Sequence, residues 1–136
     1  MATFTKFQPF VENLAEKVFN LGSDQLVVAL TNSAPTNTWG TLSQVTEISY
    51  TNCSSRNVTT SASAQSGGTY KLTLTDLVLT ASGGTVGPFR YVILYDDTAA
   101  SDQLIAYWDY GSSITLASGE TFTIDFDSSN GVLQLV

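Results

Sequence analysis

Carboxylates are the main reactive groups that this sequence offers. The 136-residue chain carries 12 Asp and Glu against 5 Lys and Arg, with no histidine and one cysteine. Asp96, Asp97 and Asp102 flank one turn, and Asp109, Asp125 and Asp127 lie on later segments. Acids gathered at loop tips are the donors that Ca²⁺ takes, at about six to eight oxygens per ion. Residues 125–131, Asp-Phe-Asp-Ser-Ser-Asn-Gly, space oxygen-bearing side chains at alternating and adjacent positions. The closing Glu of an EF-hand loop is missing at its required distance. Asp and Asn in turns also serve the backbone directly, by accepting hydrogen bonds from nearby N–H groups. Turn chemistry is therefore the expectation, with no metal and no other cofactor.

The remaining nucleophiles lack partners in the sequence. Two acids on adjacent strands could approach to the separation that glycoside hydrolysis needs, but nothing in the pattern singles out a pair. A serine nucleophile needs an activating base, and the customary histidine is absent. Lys6, Lys17 and Lys71 fall at positions expected to be exposed. Cys53, between Asn52 and Ser54, reads as a small half-buried residue. The pairs Gly67-Gly68 and Gly83-Gly84 lack the strand–loop–helix context of a phosphate loop and read as turns. No catalytic residue is expected, and the chain reads as non-enzymatic.

Composition points the same way. Only 12% of residues are charged, against roughly 25% in ordinary domains, and Thr and Ser fill about a quarter of the chain. A net charge of -7 argues against a sequence-independent grip on nucleic acid. No window approaches the ~20 apolar residues of a bilayer span. The first ten residues also lack the basic start and apolar run of a secretory signal. Neither nucleic acid nor membrane is an expected partner. The aromatic residues, at 11%, fall mostly where strand cores are expected. Trp39, in a polar loop, is the exception, and suits an interface anchor or a sugar contact.

These residues are positioned by a helix followed by strands. Phe7, Phe10, Val11, Leu14, Val18 and Leu21 recur at spacings of three and four, which predicts an amphipathic helix over about 8–20. Pro9 suits its first turn and Gly22 its end. Residues 25–31 form a short branched run, as expected of a strand buried on both faces. Residues 39–50 leave open one or two helical turns through Leu42, Val45 and Ile48. The polar stretch 51–68 reads as an edge strand or a long surface loop.

From Thr69 onward, strands alternate with turn signals. Tyr70, Leu72 and Leu74 alternate with polar residues, and 76–80 reads as a continuation past a bulge. Residues 88–95 form the strongest strand, expected to be central, with Phe89, Tyr91, Ile93 and Tyr95 on one face. Residues 103–110 should pair with it through the 96–102 turn. Phe122, Ile124 and Phe126 should face inward, and Asn130-Gly131 should close a hairpin onto 132–136. Residues 25–136 are thus strand-rich. The expected fold is mainly β: a single-domain antiparallel β-sandwich, or partly open barrel, spanning 1–136 with an N-terminal amphipathic helix.

Three stretches resemble a family of small structural proteins of tailed bacteriophages. They are residues 10–18 leading into 21–35, the strand at 88–97, and residues 119–135, with phrases such as VALTNSAP and FDSSNGVLQL. The resemblance implies a virion component assembled in the bacterial host cytoplasm. It implies further a capsid decoration, or cement, protein on the outer shell, with the major capsid protein as partner. Three-fold positions of an icosahedral shell would make a homotrimer the natural oligomer. It carries over no catalytic residues. Alternatives are a tail tube, baseplate or fibre-base component, and a carbohydrate-binding β-sandwich module. Phe4, Phe7, Trp39, Tyr50 and Val136 are the expected contact residues.

Overall fold

The computed structural model describes residues 2–136 as a mainly β fold with antiparallel sheets and one helix near the N-terminus. In chain order the elements are β1 (Thr5–Lys6), α1 (Gln8–Ala15), β2 (Leu26–Thr31), a single 3-10 turn (Leu42–Gln44), β3 (Asn57–Val58) and β4 (Thr60–Ser66). There follow β5 (Thr69–Leu74), β6 (Leu77–Thr80), β7 (Val86–Asp96), β8 (Leu104–Leu116), β9 (Thr121–Ile124) and β10 (Leu133–Leu135). A five-stranded sheet runs β1-β8-β7-β2-β3, a three-stranded sheet β10-β5-β4, and a two-stranded sheet β6-β9.

The branched run at 26–31 becomes β2 because each of its faces meets a different apolar cluster. Leu26, Val28 and Leu30 join Val92, Leu94, Leu72, Leu74, Leu79 and Ile124 in the main core between the large sheet and the two smaller ones. Val27 and Ala29 join Phe7, Ile93, Tyr95 and Leu104 on the opposite face, beneath Trp39, Leu42 and Val45. All six β2 residues are buried as a result. β7 is central, as its composition predicts, pairing with β2 on one edge and β8 on the other.

Four expectations about local structure are corrected. The helix stops at Ala15 rather than near residue 20. Lys17 takes a left-handed φ of 68° and Val18 N–H reaches back to Asn13 O at 2.9 Å, so the chain leaves the helix after two turns. Phe19 and Leu21 enter the core from outside the helix, and Val11 is left half exposed at 51%. Residues 76–80 do not extend β5. They form β6, which pairs only with β9, and Asp76 Oδ1 accepts Phe126 N–H at 2.9 Å where the chain departs.

Phe89 packs with Val92 and Leu94 rather than with Ile93 and Tyr95. Register shifts on either side of Phe89 in the β7–β8 ladder reverse its facing, as a bulge does. Finally, Asn130-Gly131 does not close a hairpin. The chain passes from β9 to the other small sheet, where β10 pairs with β5.

Candidate interaction cleft

β8 outruns its neighbour. β1 covers only Ala106 and Tyr107, and the ladder partner of Trp108 on the other side is Val92. Two-residue alternation along a strand then puts Trp108 and Tyr110 on the face of buried Ala106, beyond the reach of β1. Across from them stand Phe122 and Ile124 of β9 and Phe126 just after it. The N-terminal arm lays Phe4 against Trp108, edge to face, at 5.6 Å between ring centroids. The set continues edge to face from Trp108 to Phe126 at 6.0 Å and from Tyr110 to Phe122 at 5.3 Å.

Together with Val92, Asp125, Asp127 and Val132 these residues line an open cleft of about 350 Å³. Its floor is apolar and buried, while Tyr110 stands 53% exposed at the mouth. Aromatic rings of this kind offer a large contact area with a polar tip, a combination suited to partner surfaces. Asp125 is the free acid of the rim. Asp127 is committed to its turn: its carboxylate accepts Ser129 N–H at 2.8 Å and Asn130 N–H and Nδ2 at 2.9 Å. Those bonds, from Asn130 first, hold the Asp127 carboxyl below the usual carboxylate range.

Two further acids, Asp109 and Asp96, also accept N–H groups of their turns. Asp109 takes a bidentate grip from Arg90 at 2.8 and 3.0 Å and accepts Gly111 N–H at 2.8 Å. The Arg90 guanidinium, then that N–H, lowers the Asp109 carboxyl. Asp96 accepts the N–H groups of Thr98 and Ala99. Among the described residues, no group of three or more His, Cys, Asp or Glu side chains is placed to hold a metal ion. Cys53 is half-buried, and burial pushes its thiol up.

The expected contact residues scatter. Phe4 alone lines the cleft. Phe7 is completely buried, 0% exposed, with its ring 5.2 Å from Tyr107, so it serves the core rather than a partner surface. Trp39 is half-buried over the second apolar cluster. Val136 is fully exposed at the far end of β10. Tyr50 closes a sheet edge: β3 covers only Leu26 and Val27 of β2, leaving the rest of that edge to other groups. Tyr50 Oη accepts Leu30 N–H at 2.9 Å and donates to Glu47 at 2.7 Å.

Arg56 completes the same closure, donating from Nη1 to Val28 O at 2.7 Å while its guanidinium lies 3.6 Å over the Tyr50 ring. Burial pushes the Tyr50 phenol well above its ordinary range. Trp108, Tyr110 and Phe122 are the cleft residues that sequence reasoning assigns to the core. The signal available for the first two was the dense run Tyr107-Trp-Asp-Tyr110, in which Trp108 and Asp109 pair with β7 but have no β1 partner. No protein-family model, curated protein or solved structure matches the chain.

Proposed function

We propose that the chain is a non-enzymatic structural protein of a tailed-bacteriophage virion, a decoration protein that seats on the outer capsid and bridges neighbouring copies of the major capsid protein. Support comes from the resemblance carried by residues 10–18 with 21–35, 88–97 and 119–135. The structural observation that supports this reading is the aromatic cleft at the end of β8 that β1 leaves uncovered. A cement protein holds its shell by shape and apolar contact, and Phe4, Trp108 and Tyr110 present that contact with little charge to desolvate. A net charge of -7 directed outward keeps decorated particles apart. A closed homotrimer matches the three-fold positions of a shell.

Immunogold labelling of intact particles tests the location. Label over the whole head is the expected result, and label confined to the tail would overturn it in favour of a tail component. Tyr110→Asp tests the cleft: it should abolish shell binding in a sedimentation assay while shifting the unfolding free energy by no more than about 1 kcal/mol, since the ring is half exposed. The rings of Trp108 and Tyr110 beside the Asp125 carboxylate also support a carbohydrate-binding reading, as they could stack on a sugar face and accept its hydroxyls. Glycan-array binding lost in Tyr110→Ala, with no affinity for shells, would favour that second reading.

A further inference from the structure

Asp96 ends β7 with its side chain completely buried, at 0% exposure. Its Oδ1 accepts Thr98 N–H at 2.9 Å and Ala99 N–H at 3.1 Å, which fixes the start of the β7–β8 turn. Its Oδ2 is buried and receives no hydrogen bond from any N–H or O–H of the described residues. The group beside it is a second acid, Asp24, whose side chain lies within hydrogen-bond reach. The backbone enforces this approach. Leu26 stands opposite Asp96 in the ladder, Gln25 N–H donates to Thr98 Oγ1 at 2.9 Å, and Asp97 N–H donates to Gln25 O at 2.9 Å. One oxygen of Asp24, Oδ2, already accepts Asn20 N–H at 2.9 Å. Two ionised carboxylates in contact, one of them wholly buried, repel each other and forgo hydration, so one must be neutralised.

We infer that Asp24 and Asp96 share a single proton, and that this carboxyl–carboxylate hydrogen bond latches the loop before β2 to the β7–β8 turn until rising pH removes it. The proton supplies the donor that Oδ2 otherwise lacks. Burial first, and then the facing Asp24, push the Asp96 carboxyl up to about 7, against the lowering effect of the Ala99 and Thr98 N–H groups. Other charged groups nearby are Asp97 and Asp102 on the same turn, and Lys17 on the rim of the groove that Asp24 and Thr98 share. Arg56 lies along β2, bound to Val28 O. Of the charged side chains, Asp24 is the one that acts on Asp96.

The folded chain therefore binds this proton more tightly than the unfolded chain does. The stability so conferred is complete below the unfolded carboxylate value of about 4 and is lost as the pH rises toward 7. The test is a titration of the intact protein, following its Asp carboxyl carbons by NMR and using Asp24→Asn and Asp96→Asn to assign the pair. One carboxyl of the pair should stay protonated well above the ordinary range, and Asp24→Asn should lower the Asp96 midpoint. Wild-type Tm should fall by a few degrees between pH 5 and pH 8, and Asp96→Asn should flatten that slope.

Ordinary carboxylate titration of both groups would overturn the inference, as would a wild-type Tm that is constant over this range. If Asp96→Asn does not fold, the midpoint change in Asp24→Asn decides. Excess CaCl₂ at pH 8 should leave the wild-type Tm unchanged. Recovery of Tm by Ca²⁺ in the wild type but not in Asp24→Asn would show a cation, not a proton, between the two acids.

Discussion

At the scale of single residues, the closure of the β2 edge shows side chains substituting for a missing strand. An uncovered edge presents N–H and C=O groups that must be satisfied or buried at a cost. Tyr50 Oη and Arg56 Nη1 meet two of them, and Ile48 N–H takes a third, Leu30 O, at 3.0 Å. Tyr50→Phe keeps the ring but leaves Leu30 N–H without its acceptor, and should lower the unfolding free energy by about 1–3 kcal/mol in urea denaturation. Arg56→Lys keeps the charge but loses the planar stack and the aimed donor, and should cost about 1–2 kcal/mol in the same assay. Neither role was legible in the sequence. A tyrosine and an arginine six residues apart in a polar stretch carry no periodicity, and the edge they close belongs to a strand far earlier in the chain.

At the scale of elements, the strands read well wherever both of their neighbours are strands. β2, β7 and the first half of β8 follow from branched and aromatic runs, because burial on both faces leaves few other solutions. Connections read badly. Asn-Gly is a strong hairpin signal, yet the chain beyond it needed a partner for Leu133, and β5 supplied one through Leu72. Gly131 remains essential to that crossing. Its φ is 76°, and a Cβ there would collide with Leu72 O and the Lys71 side chain. Gly131→Ala should therefore destabilise the protein by roughly 1–3 kcal/mol. Amide exchange should show the loss concentrated in β10, while β7 and β8 stay protected. The helix was foreshortened for a similar reason: Phe19 packs at 5.3 Å from Phe10, a contact that a continuous helix would not give.

At the scale of the whole molecule, sparse charge of one dominant sign sets how copies meet. Five cations are spread over 136 residues. Two of them are engaged locally, Arg90 with Asp109 and Arg56 with Glu47. Self-repulsion thus opposes further association, and it vanishes near the isoelectric point of about 4.1. Light scattering should show association rising sharply as the pH falls to that value, and reversing on return to neutrality if the fold survives. The mainly β class and the early helix were legible from hydrophobic period and turn residues. The cleft was not, because it arises where three segments distant in sequence end at different lengths.

The two ends of the chain lie in different sheets, and this has a mechanical consequence. β1 is held to β8 by two residue pairs and β10 to β5 by three, and the main core lies between those layers. Tension applied at both termini would first peel these short edge ladders, one from each layer. Only then would it reach the long β7–β8 hairpin. The molecule thus has a yielding outer seam at either end around an inner region that resists extension.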